Sequence, residues 1–151
     1  MKTPSRQNRG EILNFPRKKQ ADTALQKGKN RKKILIADDE PHMVKLLRLN
    51  LEPEGYEVIE ARDGQEAYQL ALETKPDLIL LDVIVPQKNG TEVCRAIKEN
   101  AATSHIPVIL ITGRGEGMRK ACLESGAELF LTKPFSPLRL LAEIHRVAEN
   151  K

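Results

Sequence analysis

Between Pro76 and Gly90 the chain reads Pro-Asp-Leu-Ile-Leu-Leu-Asp-Val-Ile-Val-Pro-Gln-Lys-Asn-Gly, and this stretch limits the possible folds more than any other. Leu78 to Leu81 is an unbroken apolar run, too short for a helix and introduced by Pro76. Such a run reads as a strand buried on both faces, which is the situation in a parallel sheet covered on both sides. The strand ends in a carboxylate. Asp82 therefore falls at the carboxyl end of an interior strand, where open α/β sheets place their chemistry, with residues 83–90 forming the loop over it.

The rest of the chain supplies the partners for that strand. Ile34 to Ala37 is a first buried strand that ends at Asp38-Asp39-Glu40. Asp39 is placed to cap the next helix, with Glu40 and Pro41 in its first turn. Met43, Leu46, Leu47, Asn50 and Leu51 recur at three- and four-residue steps and predict one inward helical face broken by an amide. Pro53 and Gly55 end it. Glu57 to Ala61 reads as the second strand, and Asp63-Gly64 opens a second helix on Ala67, Leu70 and Ala71. Gly90 starts a third helix with Val93, Ile97 and Ala101 inward, and Ile106 to Thr112 reads as the fourth strand. After the glycine-rich loop 113–117 a short helix spans roughly Met118 to Ser125, closed by Gly126 in a C′ role. Glu128 to Thr132 is the fifth strand, and Leu138, Leu141, Ile144 and Ala148 mark a last helix. Strands alternating with helices predict a parallel sheet with right-handed crossovers.

Charge divides the chain. Residues 1–33 hold eleven Lys and Arg against Glu11 and Asp22, a net of +9, whereas residues 34–151 carry a net of −5. We read residues 1–31 as a basic, mostly disordered tail and 32–151 as one acidic domain. No apolar stretch approaches the roughly 20 residues that span a bilayer, and no apolar run follows the first basic residues, so a cytoplasmic protein is expected. Cys94 and Cys122 each fall in a helical pattern without nearby ligands, which favours reduced core thiols over a disulfide or metal site. His42 and His145 read as solvated helix residues, and His105 as a loop residue. The glycines of 113–117 match neither nucleotide-loop spacing.

If the strands are parallel, Asp38 and Asp39, Asp82, Thr112 and Lys133 converge on one edge of the sheet. Three carboxylates so close would raise one another's pKa unless a cation intervened, and an all-oxygen donor set suits Mg²⁺ better than zinc. This is chemistry for a phosphoryl group, whose transfer needs positioning and charge neutralisation more than covalent help. Asp82 would be the nucleophile. Mg²⁺ would be held by Asp39, Asp82 and the backbone carbonyl of Ile84, with Asp38 acting through water. Lys133 would give a point charge to a phosphoryl oxygen, and Thr112 a hydroxyl.

The acidic pair Asp38-Asp39, the segment Asp82-Val83-Ile84-Val85-Pro86 with Gly90, Thr112-Gly113 and Lys133-Pro134-Phe135 stand in an order and spacing that resemble the response-regulator receiver domain of two-component signalling. The resemblance runs from Lys33 to about Glu149. It implies a flavodoxin-like, doubly wound sheet of five parallel strands in the order 2-1-3-4-5 with five helices. It also implies that Asp82 accepts a phosphoryl group from a histidine kinase or histidine phosphotransfer protein, with Mg²⁺ required and a cis Lys133-Pro134 bond. In the family's switch Thr112 moves toward the phosphate and Phe130 turns inward, remodelling the surface of the fourth helix, fifth strand and last helix for a downstream target or a homodimer.

Four positions bear on how far the chain follows the common pattern. Val85 replaces the usual Met, Phe130 lacks the hydroxyl of the commoner Tyr, and Ile84 and Arg114 occupy the variable positions that tune phosphate lifetime. An apolar Ile84 orients no attacking water, so slow self-dephosphorylation is expected. No output domain is expected after Lys151, and the expectation is a non-enzymatic, stand-alone receiver acting by protein contact or phosphorelay. One alternative puts the output in the basic tail, bound to nucleic acid or anionic membrane. A phosphatase on the same fold is a weaker alternative, because the acid-base Asp it would want two residues after the nucleophile is Ile84.

Overall fold

The computed structural model describes residues 31–84, 89–113, 115–133 and 135–149. The readings made above on residues 1–30, Val85, Arg114 and Pro134 lie outside them. Five strands, β1 (Lys33–Ala37), β2 (Glu57–Ala61), β3 (Leu78–Asp82), β4 (Val108–Thr112) and β5 (Leu129–Thr132), form one sheet in the order β2-β1-β3-β4-β5. Every neighbouring pair is parallel. Among the described residues the connections carry five α-helices: α1 (Pro41–Leu51), α2 (Gly64–Thr74), α3 (Gly90–Glu99), α4 (Arg119–Glu124) and α5 (Pro137–Glu149).

Strand side chains alternate between two separate cores, because successive residues point to opposite faces. Ile34, Ile36, Leu78, Leu80, Ile109, Ile111 and Leu131 pack with α1 and α5. Leu35, Ala37, Ile79, Leu81, Val108, Leu110 and Phe130 pack with α2, α3 and α4. Each fully buried Leu or Ile stabilises the fold by roughly 1.5–3 kcal/mol, so the apolar runs that define β1, β3 and β4 are also what fixes them in the middle of the sheet.

Several helix faces differ from the sequence expectation. The inward row of α1 is Val44, Leu47 and Leu51, whereas Leu46 is exposed and Asn50 turns its amide to the Leu46 carbonyl at 2.8 Å. Spacing of three and four fits two adjacent rows equally well, and sheet contact selects one. On α5, Leu140, Leu141, Ile144 and Ala148 are buried, and Leu138 in the first turn is exposed. Helix α3 stops at Glu99, so Ala101 lies beyond it in a turn and is exposed. The N-cap of α1 is Glu40 rather than Asp39 and makes no side-chain capping bond; Asp38 Oδ1 instead accepts from the Glu40 N–H at 2.9 Å. A 3-10 turn spans Gly115–Met118 before α4, and β4 begins at Val108 rather than Ile106. Gly126 follows Ser125, the last cap of α4, with φ of 101°, the left-handed geometry expected of C′.

His145 is half-buried rather than solvated. Its Nδ1 lies 3.0 Å from the Tyr56 hydroxyl and its Nε2 3.5 Å from Glu54 Oε1, because the 3-10 turn Glu52–Glu54 after α1 and the following Tyr56 lie against α5. Both cysteines are buried and free, as expected of core thiols.

Candidate functional site

Asp82 is the last residue of β3 and pairs in register with Ile111, so the ends of β3 and β4 lie side by side. The turn after it is tightly held. Val83 N–H donates to the Ile111 carbonyl at 2.8 Å, Gly90 N–H donates to the Val83 carbonyl at 2.7 Å, and Ile84 N–H donates to Asp82 Oδ1 at 2.9 Å. A Cβ on residue 90 would stand 2.5 Å from the Asp82 carbonyl oxygen and 2.6 Å from Val83 Cα, so only glycine lets α3 start against this turn.

The structure brings the predicted charged residues together. Lys133, just after β5, places its Nζ 2.9 Å from Asp82 Oδ2 and 3.4 Å from Asp38 Oδ2. Its backbone N–H donates to the Thr112 carbonyl at 2.7 Å, which ties the ends of β4 and β5. Asp38, Asp39 and Asp82 each present an oxygen, all within 4.8 Å of one another. Asp38 and Asp82 are buried, Asp39 is exposed, and Thr112 is fully buried at the end of β4. Ile84 exposes its side chain, half of its surface being accessible.

Burial pushes the Asp38 carboxyl above its ordinary pKa, and the neighbouring Asp82 charge pushes it further, against the Glu40 N–H and the Lys133 ammonium. Burial alone would lower the Lys133 pKa, but its bond to Asp82 and the charges of Asp38 and Asp82, with Glu40 adding to them, hold it above the ordinary lysine value. The result is a fixed ammonium facing a cluster of carboxylates with excess negative charge. An all-oxygen, partly open donor set of this kind fits a hard divalent cation. It also leaves Asp82 as a shielded nucleophile beside a positive charge, suited to receiving an anionic group.

Two contacts, one in the site and one beside β5, had little local signal in the sequence. Glu40 puts Oε1 3.3 Å from Lys133 Nζ, an ion pair across 93 residues of chain. Arg119, the first residue of α4, sets its guanidinium carbon 5.2 Å from the centroid of the Phe130 ring. Phe130, expected to turn inward on switching, is already inward, only 4% exposed and packed in the core with α2, α3 and α4.

A model of the response regulator receiver domain matches residues 34–145. The alkaline phosphatase synthesis transcriptional regulatory protein PhoP of Bacillus subtilis is 44% identical over 117 residues, covering 77% of this chain and 48% of that protein. Response regulator PleD of Caulobacter vibrioides is 45% identical over 120 residues, covering 79% of this chain and 26% of that protein. The chain thus spans half or less of the length of these two relatives. Among solved structures, the chemotaxis response regulator CheY4 of Vibrio cholerae superposes with a TM-score of 0.73 at 30% identity, covering 78% of this chain and 99% of that one. The receiver domain of a signal transduction histidine kinase from Syntrophus aciditrophicus gives 0.73 at 35% identity, covering 79% and 91%. Receiver domains are signalling domains that are phosphorylated on an Asp, bind Mg²⁺ at an acidic pocket, and interact with histidine kinases and downstream targets. With the fold, the acidic cluster and the matched sequence in agreement, this chain belongs to the response regulator receiver domain family.

Proposed function

We propose that Asp82 is the phosphoacceptor of this receiver. The observation that carries the reading is the Lys133 ammonium 2.9 Å from Asp82 Oδ2 inside the Asp38, Asp39 and Asp82 cluster. An Asp82 carboxylate oxygen attacks the phosphorus of a phosphohistidine on a kinase or phosphotransfer protein, the N–P bond breaks, and the neutralised imidazole leaves. Lys133 transfers part of its pairing from Asp82 to a phosphoryl oxygen, and the Thr112 hydroxyl donates to another. Asp39, Asp82 and the Ile84 carbonyl would hold Mg²⁺, with Asp38 behind a water. When bound, the ion supplies positive charge against the incoming phosphoryl oxygens.

The output is a phosphorylation-dependent contact on the surface of α4, β5 and α5, with a protein target, a relay partner or a second copy. The same reading assigns the domain to residues 32–151, makes the basic residues 1–31 a solubilising tail or linker, and places the reaction in the cytoplasm. No described helix is long and apolar enough to cross a membrane. Incubation with acetyl phosphate and Mg²⁺, followed by a phosphate-affinity gel, tests it: the wild type is retarded and Asp82→Asn is not. Equal mobility of both, or retardation of both, overturns the assignment.

A second reading takes its support from the +9 charge of residues 1–33 and puts the output on nucleic acid or anionic membrane. Filter binding of the full chain and a variant starting at Arg31, across several salt concentrations, decides it. Equal retention of nucleic acid by both removes the nucleic-acid form.

A further inference from the structure

Phe130 has no hydroxyl, so the position of its ring depends on what covers it. The ring lies inward among the residues that pack with α2, α3 and α4, and the covering group described for it is the Arg119 guanidinium, 5.2 Å from the centroid. Arg119 opens α4, a helix of six residues whose one buried member is Cys122. The 3-10 turn Gly115–Met118 joins this helix back toward Thr112 at the site. One side chain therefore connects the first turn of a lightly anchored helix to the aromatic ring beside it.

We infer that Arg119 is a positioning residue of the switch: its cation–π contact stands in for the hydrogen bond that a tyrosine would make, holding Phe130 inward and tying the start of α4 to the state of Asp82. The inference rests on the phosphoacceptor reading above. If phosphoryl binding favours the inward ring, then by reciprocity anything that favours the inward ring favours the phosphoryl group by the same factor. A partly exposed cation–π contact corresponds to about a 2- to 5-fold effect on such an equilibrium.

The test uses the full chain, beryllofluoride with Mg²⁺ as the phosphoryl mimic, and ring signals of ¹³C-phenylalanine by NMR, with the Phe130 signals identified from Phe130→Leu. Arg119→Met keeps the length of the side chain without its charge. It should weaken beryllofluoride binding about 2- to 5-fold and move the Phe130 ring signals, before any ligand is added, in the direction of an exposed ring. Arg119→Lys should recover part of both effects. In a Phe130→Leu background, Arg119→Met should make no further difference. Wild-type affinity and unmoved ring signals in Arg119→Met overturn the inference, as does an equal loss in the Phe130→Leu background. If the wild type binds no beryllofluoride while the ring signals still respond to Arg119→Met, the phosphoacceptor reading fails and the Arg119 contact survives.

Discussion

Lys98 closes the edge of the sheet opposite the site. Its ammonium donates to the Ile106 carbonyl at 2.6 Å and the Ser104 carbonyl at 3.3 Å, and pairs with Glu128 Oε2 at 3.1 Å. Its stem also lies against Gly126, where a Cβ would meet Lys98 Cγ at 2.8 Å. Lys98→Met leaves the carbonyls without that donor and should cost about 1–3 kcal/mol, read as a lower urea midpoint at unchanged slope. Asp38 works in the opposite sense. Its folded-state pKa is raised by burial above the ordinary aspartate value, so the native state holds the proton more tightly than the unfolded chain. The corresponding stability is present below the unfolded pKa and lost as pH rises through the raised folded value, which leaves a penalty at neutral pH. Asp38→Asn should therefore melt at a higher temperature than the wild type at pH 7 in the presence of a chelator. The same variant should gain less thermal stability from added Mg²⁺. The placement of Asp38, Asp39, Asp82, Thr112 and Lys133 at or just after strand ends was legible in the sequence because a buried strand fixes where its last residue must lie. Glu40 with Lys133, Arg119 with Phe130 and His145 with Tyr56 were not, because each contact joins side chains that only the folded packing brings together.

Among the elements, strands were easier to place than helix faces. A run such as Leu78 to Leu81 has all its residues buried, so no choice of face arises. On α1 and α5 the choice is made by contact with the sheet, and Leu46 and Leu138 fell on the wrong side of it. Caps follow more local rules. Asp63 caps α2 by accepting from the Glu66 N–H at 2.8 Å, while Glu66 returns a carboxylate oxygen to the Arg62 N–H at 2.7 Å. Asp63→Ala should cost about 1 kcal/mol in chemical denaturation. It should leave acetyl phosphate labelling of Asp82 unchanged, because α2 starts from β2, the edge strand farthest from β4 and β5. At α1 the Asp38-Asp39 pair spends its carboxylates at the site, and the helix opens without a side-chain cap.

The whole molecule is a sheet with two unequal coats. On one side α1 and α5 together bury seven residues, and on the other α2, α3 and α4 share the task, with α4 contributing Cys122 alone. Cys122 is pushed up to about 11 by burial, and the Cys94 thiol is raised by the same cause. Neither thiol should react appreciably with an aromatic disulfide reagent at pH 8 while both remain enclosed. Detachment of α4 uncovers one of them without dismantling α3, which also anchors through Val93 and Ile97. Mass spectrometry of partially labelled native protein should find Cys122 modified ahead of Cys94, and modification of both together would show that α4 does not open by itself. The chain thus carries its own reporter of breathing: the rate at which a trapping reagent captures Cys122 counts how often the thinnest panel of the coat swings clear of the sheet.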